Sequence, residues 1–104
     1  MTADVIIVGA GVTGAAIARE LSRYKLKIVI LEKEAEAAFG VSKSNSGIIH
    51  AGSQNPASYV KGWLCVEGNR LMREELAADL GLDFTQCGKL IVVFDLGDLP
   101  ELEK

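Results

Sequence analysis

The sequence predicts an α/β fold: a βαβ unit with an incomplete parallel sheet, followed by a long helix and a small β-hairpin. Three observations predict it. Two short, wholly apolar runs occupy residues 5–8 and 28–31. A helical pattern lies between them, and a glycine-rich turn joins the first run to that helix. A strand, a helix and a second strand within about 30 residues are typical of one βαβ unit, whose crossover is right-handed.

The first run, Val5 to Val8, is rich in β-branched residues, which favours a strand buried on both faces. The pattern then predicts a helix from Val12 to Tyr24. Ile28 to Leu31 repeats the character of the first strand. Because both strands are uniformly apolar, we expect them to lie side by side in a parallel sheet.

The second half begins with a polar loop over residues 41–46. Asn55 has the side chain of a helix N-cap, and Pro56 suits the first helical position. We expect this helix to run to Leu80, with Gly81 as its C-terminal cap. Its apolar residues are predicted to face inward, namely Val60, Leu64, Leu71, Leu76 and Leu80.

Two glycines interrupt the predicted long helix, and two strand candidates follow it. Gly62 and Gly68 each weaken a helix by roughly 1 kcal/mol relative to alanine, so each predicts close backbone packing. Phe84–Cys87 and Lys89–Phe94 are the candidate strands. Gly88 between them predicts a hairpin or a bulged bend.

Composition excludes several classes of protein. The net charge is −3 and there is one histidine, so a nucleic-acid-binding surface is not expected. No apolar stretch approaches the roughly 20 residues of a transmembrane segment, and the first residues lack a basic leader, which favours a cytoplasmic protein. Cys65 and Cys87 have neither metal-site nor disulfide-framework spacing. We expect no metal site, and two buried, reduced thiols.

Gly9, Gly11 and Gly14 form a G-x-G-x-x-G motif. In isolation this spacing is weak evidence, but here it follows a predicted strand and opens a predicted helix, which is the Rossmann-like arrangement. Gly9 would make the tight turn, Gly11 would let the backbone approach a pyrophosphate, and Gly14 would let the helix close on the strand. The helix N-terminus supplies the positive end of a dipole, so an acidic chain can still bind a dinucleotide.

Glu32 follows the second strand, 18 positions after Gly14. A carboxylate there can accept hydrogen bonds from the hydroxyls of an adenosine ribose, and it would repel the 2′-phosphate of NADP. The alternative is an ordinary glycine turn beside an ordinary glutamate. Because the three glycines and Glu32 all stand at the expected spacing, the sequence favours dinucleotide binding. This spacing does not distinguish NAD from FAD.

A family resemblance distinguishes them. The glycine segment, together with "SKSNSGIIHAG", "EGNRL" and "CGKLIVV", resembles the N-terminal part of FAD-dependent oxidoreductases of the D-amino-acid oxidase superfamily. The similar members are glycerol-3-phosphate dehydrogenases and L-2-hydroxyglutarate oxidases. The resemblance implies that residues 1–104 form a partial FAD-binding domain, which lacks the later strands of that domain and the substrate domain.

The resemblance also implies roles for individual residues. The three glycines would meet the FAD pyrophosphate, Glu32 the ribose, and Lys33 the adenosine moiety. Further candidates would contact the pyrophosphate, the ribityl chain or the flavin ring, namely Ser42, Asn45, Ser46, Gly47 and His50. From the residues alone, a solvated polar loop is the favoured interpretation of residues 42–46, and a hydrogen-bonded structural histidine is the favoured interpretation of His50. No catalytic residue is identified.

In that family the flavin takes a hydride from a hydroxyl-bearing carbon. The resemblance therefore implies part of an oxidoreductase acting on a small anionic hydroxy substrate such as glycerol 3-phosphate, with L-2-hydroxyglutarate as the alternative. The basic groups that such a substrate needs are not evident here, so we expect the chain alone to be inactive. A dinucleotide-binding module without turnover stays open. Exposed edges of the sheet predict a homo-oligomer or a swapped dimer, unless a longer protein covers them.

Overall fold

The computed structural model describes residues 2–102 and divides into two compact units, one ending at Ile48 and one beginning at Ile49. The first unit contains strand β1 (Val5–Val8), helix α1 (Val12–Leu21) and strand β2 (Ile28–Leu31). The strands are parallel, with Val5 opposite Ile28 and Val8 opposite Leu31. The predicted βαβ unit and both strands are therefore confirmed.

Helix α1 ends at Leu21, three residues before the predicted end. The hydroxyl of Ser22 donates to the carbonyl oxygen of Arg19 at 2.7 Å, which satisfies a carbonyl at the end of the helix. Tyr24 consequently lies in the connection to β2, where it is exposed.

The core of the first unit is small. Ile7 on β1 is 8% exposed, and among the described residues it is the one buried hydrophobic side chain. Ile6, next to it on β1, and Ile30, opposite it on β2, are 59% and 42% exposed. Parallel sheets normally have both faces covered, so this two-stranded sheet presents uncovered apolar surface.

The second unit contains one long helical segment. Helix α2 covers Val60–Leu71, a π-helical turn covers Met72–Leu76, and helix α3 covers Ala77–Leu80. Gly81 follows with a φ of +62°, the left-handed conformation expected of the predicted C-terminal cap. The unit closes with a 3₁₀ turn (Leu96–Asp98) and the short helix α4 (Leu99–Leu102).

The predicted start of the long helix is wrong. Asn55 and Pro56 lie in turns, with the N–H of Asn55 donating to Gly52 and the N–H of Tyr59 donating to Pro56. A Cβ atom on Gly62 would overlap the carbonyl oxygen of Pro56, so the preceding turn folds back onto the helix at this glycine. The close packing predicted at Gly62 is thus confirmed.

Other expectations for this helix are wrong. A Cβ atom on Gly68 would meet nothing within 4 Å, so this glycine makes no close approach. Val60, Leu64 and Leu80 are predicted to face inward, but they are 71%, 52% and 57% exposed. Inward packing needs a second layer against these positions, and the described residues supply none there.

The predicted hairpin is absent: no residue between 84 and 94 is in a strand, although Gly88 has a φ of +72°. An isolated two-stranded hairpin is at best marginally stable without an apolar surface to pack on. Leu90 and Phe94 are 87% and 100% exposed, so that surface is missing. Contrary to prediction, Cys87 is exposed and Cys65 is only half-buried; both are free thiols.

No helix within residues 2–102 combines the length and the apolar character that crossing a membrane requires.

Candidate functional site

The glycine turn after β1 is fixed at Gly9. Gly9 has a φ of +101°, which a side chain would disfavour, and its N–H donates to the carbonyl oxygen of Leu31 at 2.7 Å. A Cβ atom on Gly14 would overlap the Gly9 carbonyl oxygen, so helix α1 closes directly on the turn. The tight turn expected at Gly9 and the close helix approach expected at Gly14 are both present.

Ala10 connects the turn to the segment that follows β2. Its N–H donates to Glu32 Oε2 at 2.7 Å, and its carbonyl oxygen accepts from the N–H of Ala38 at 2.9 Å. The peptide groups on both sides of Ala10 are therefore held by residues more than 20 positions away. Glycine spacing contains no signal for these contacts, so the sequence does not predict them.

Glu32 organises its own surroundings through its carboxylate. Besides Ala10, Oε1 accepts from the N–H groups of Lys33 and Glu34 at 2.8 and 3.0 Å. Hydrogen bonds from the backbone N–H of Glu34 and then of Ala10 hold the pKa of Glu32 below its ordinary value of 4.5. Two carboxylate oxygens offer about four acceptor positions, so one on Oε2 stays available to a ligand hydroxyl.

Ser42 lies at the N-terminus of helix α1. Its Oγ accepts from the N–H of Val12 at 2.9 Å, which satisfies one of the four N–H groups that a helix leaves without an internal partner. Because the hydroxyl accepts this bond, its own proton is free to be donated. The N–H groups of Thr13 and Gly14 belong to the same unsatisfied first turn.

One cleft of about 390 Å³ lies beside the glycine turn in the first unit, a volume in the range of small-molecule sites. Five of the candidate residues line it, namely Gly9, Gly11, Glu32, Lys33 and Ser42. Phe39 and Ala38 line it too, although neither was a candidate. Lys43 Nζ lies 4.8 Å from the centre of the Phe39 ring, and Ala38 has a φ of +63°, a conformation that costs a non-glycine residue about 1–2 kcal/mol.

The remaining candidates lie outside the cleft lining. Asn45 uses its amide within its own loop: Nδ2 donates to the carbonyl oxygens of Val41 and Ser42, and Oδ1 accepts from Gly47. Gly47 has a φ of +65°, and Ser46 is exposed. His50 belongs to the second unit, where its side chain is exposed and its carbonyl oxygen lies 3.4 Å from Asn69 Nδ2.

Acid is expected to remove the contribution of Glu32 to the stability of the first unit. Since folding lowers its pKa, that contribution is complete above about pH 4.5 and is lost as the pH falls through the folded-state value. The difference in melting temperature between the wild type and Glu32→Gln should therefore be largest at neutral pH and should shrink in acid. Thermal unfolding followed by circular dichroism from pH 3 to pH 7 measures this difference.

Glu36→Gln is the matched control, because it removes the same charge from the same loop. Its melting temperature should follow that of the wild type at every pH. A Glu32→Gln difference that stays constant across the pH range would contradict the role given to the carboxylate.

Residues 4–104 match the family described as FAD dependent oxidoreductase (DAO). The chain is 44% identical over 101 residues to a glycerol 3-phosphate dehydrogenase of Caloramator mitchellensis. It is 42% identical over 103 residues to a mitochondrial L-2-hydroxyglutarate dehydrogenase of Dictyostelium discoideum, and 39% identical over 102 residues to that of Homo sapiens.

These alignments cover 97%, 97% and 96% of this chain, but 21%, 23% and 22% of the respective relatives. The chain thus spans less than a quarter of the length of these curated relatives. The family match and the relatives confirm the resemblance stated from the motifs, and with it FAD as the family's cofactor. Over nearly its whole length, the chain belongs to the FAD-dependent oxidoreductase family.

Proposed function

We propose that the cleft of the first unit binds the ADP half of FAD, as part of an oxidoreductase that acts on a small anionic hydroxy substrate. The observation that carries this proposal is the pair of hydrogen bonds at Ala10. They bring the glycine turn, the helix N-terminus and the Glu32 carboxylate to one cleft. The donor and acceptor types fit the cofactor, because N–H groups suit a pyrophosphate and a carboxylate suits a ribose.

The pyrophosphate would be held by the segment from Gly9 to Gly14. The first-turn N–H groups of helix α1 supply hydrogen bonds and the positive end of the helix dipole without a basic side chain. Ser42 would add a hydroxyl donor, since its oxygen already accepts from Val12. The absence of a side chain at Gly11 would let the phosphates approach the backbone.

The adenosine would lie beside Glu32. The acceptor position left on Oε2 would receive one ribose hydroxyl, and the ionised carboxylate would repel a 2′-phosphate. Lys33 would lie next to the adenosine, although its ammonium group already lies 3.5 Å from a Glu34 carboxylate oxygen. An exposed ion pair of this kind contributes little, so it would exchange readily for a ligand contact.

The loop from Asn45 to Gly47 and His50 are proposed to serve the rest of the cofactor. Asn45 would act through the backbone, because its amide is used to shape the loop. Ser46 offers a hydroxyl and Gly47 an accessible backbone. His50 is proposed to approach the flavin ring, on the support of the family resemblance and the exposure of its side chain.

When bound, FAD supplies the redox chemistry by accepting a hydride. The residues of this chain would bind and orient it. The substrate is proposed to be glycerol 3-phosphate, with L-2-hydroxyglutarate as the alternative, because relatives of both names match at similar identity. We propose that the chain alone forms a partial FAD-binding domain without turnover, since it spans only 21% and 23% of the length of the two relatives.

Titration of the purified chain with FAD tests the proposal. Flavin absorbance near about 450 nm, a general property of the cofactor, should report weak binding. ADP should compete with FAD for the cleft and FMN should not, because the cleft is assigned to the ADP half. Competition by FMN alone would contradict the assignment, and the absence of any binding would contradict the proposed function.

Substrate tests separate the two kinds of function. Bleaching of bound flavin by glycerol 3-phosphate or L-2-hydroxyglutarate would indicate an oxidoreductase with a competent substrate site. Binding of FAD without bleaching by either compound indicates a module that holds the dinucleotide without turnover.

We further propose that the uncovered apolar surface of the two-stranded sheet pairs with a second copy when this chain is isolated. Ile6 and Ile30 on that sheet, which do not line the cleft, are 59% and 42% exposed. Light scattering measures the oligomeric state, and a compact monomer at micromolar concentration would contradict pairing. The proposed compartment is the cytoplasm, supported by two free thiols; a fluorescent fusion that localises to another compartment would contradict it.

A further inference from the structure

Two motifs of the sequence meet within the second unit. Asn69 belongs to "EGNRL" on helix α2, and its Nδ2 donates to the carbonyl oxygens of Ile49 and His50, each at 3.4 Å. Both carbonyls belong to "NSGIIHAG". We infer that Asn69 is a positioning residue, which fixes the backbone of His50 against helix α2. This inference deepens the proposed function, because it rests on the role given there to His50.

A second contact holds the same segment two residues further on. Gly52 has a φ of +92°, and a Cβ atom there would lie 2.6 Å from Val66 Cγ2 and 3.5 Å from the carbonyl oxygen of Gly62. Gly62, Val66 and Asn69 follow one another at spacings of four and three, so they share one face of helix α2. This face therefore contacts the segment from Ile49 to Gly52 on both sides of His50.

The orientation of the Asn69 amide is fixed by a third group. Arg73 Nε donates to Asn69 Oδ1 at 2.8 Å. A guanidinium group can only donate and a carbonyl oxygen can only accept, so the two ends of the amide are not interchangeable here. Arg73 thus directs the Asn69 NH₂ group toward the two carbonyls.

The consequence concerns the His50 side chain. His50 is exposed, and no hydrogen bond of its ring is among the contacts of the described residues. Its position is therefore set by its backbone, which Asn69 and Val66 hold from the helix. Loss of the Asn69 amide should release His50 without affecting the cleft of the first unit.

Nuclear magnetic resonance tests this inference directly, because His50 is the single histidine of the sequence and its ring signals need no assignment among histidines. In Asn69→Ala, backbone order parameters of residues 49–52 should fall from about 0.85 to below about 0.6. The affinity for FAD should stay within about twofold of the wild type, while the change in the His50 ring signals on FAD addition should be lost.

Asn69→Asp provides a nearly isosteric second variant that keeps an oxygen for Arg73 but lacks the donor, and it should behave like Asn69→Ala. Leu64→Ala is the matched control, because Leu64 lies on the opposite face of helix α2, and its order parameters should equal those of the wild type. Rigid residues 49–52 in both Asn69 variants would overturn the inference. If the His50 ring signals of the wild type do not change when FAD binds, the proposed role of His50 is overturned instead.

Discussion

Gly14→Ala is expected to destabilise the first unit strongly, with a loss of about 3 kcal/mol in the free energy of unfolding. The new methyl group would overlap the carbonyl oxygen of Gly9 and lie 3.3 Å from Ile7 Cγ2. The oxygen belongs to the backbone, and the N–H of Gly9 is bound to Leu31, so the turn cannot rotate away. Ile7 is the buried side chain of the same unit, so the clash falls in its core. Urea unfolding followed by circular dichroism measures the loss.

Gly40→Ala supplies the matched control, because a methyl group at Gly40 would meet nothing within 4 Å. Gly40 also lies outside the left-handed region, so alanine there should be neutral or stabilise the unit by about 0.4–1 kcal/mol. Equal urea midpoints for Gly14→Ala and Gly40→Ala would contradict the close approach of helix α1 to the turn.

The parts of the fold that the sequence predicts correctly are those whose determinants are local. The runs 5–8 and 28–31 are apolar and rich in β-branched residues, and the glycine-rich turn after the first run joins it to helix α1. The hairpin expected over residues 84–94 fails because a strand needs a partner surface, which no local pattern supplies. The helix start at Val60 depends on the turn that packs against Gly62, which is also a tertiary contact.

The candidate site shows the same division. Spacing places the glycines and Glu32 correctly relative to the strands, and the structure brings Gly9, Gly11 and Glu32 to one cleft. Spacing does not reveal that Glu32 binds the N–H of Ala10, because a carboxylate at a strand end has many possible partners. Nor does it reveal Phe39 at the cleft, since a single aromatic in a polar segment carries no periodic signal.

Gly11→Val is expected to abolish FAD binding while the first unit stays folded. Gly11 has a φ of −73° and a ψ of 179°, an extended conformation that valine adopts without strain. A Cβ atom there would lie 3.1 Å from Ser42 Oγ, a side-chain atom that can move. The branched side chain would, however, occupy the position proposed for the pyrophosphate beside the backbone. FAD affinity should fall by at least about 100-fold, or about 2.7 kcal/mol, with little change in the urea midpoint.

Ser42→Ala distinguishes the two ways in which valine at position 11 could act. The double variant combines Gly11→Val with Ser42→Ala. If valine acts only by displacing Ser42, this double variant should bind FAD as well as Ser42→Ala does. If valine blocks the approach of the phosphates, the double variant should bind as poorly as Gly11→Val, and this is the expected result. Unchanged FAD affinity in Gly11→Val would refute the position given to the pyrophosphate, because that position requires residue 11 to have no side chain.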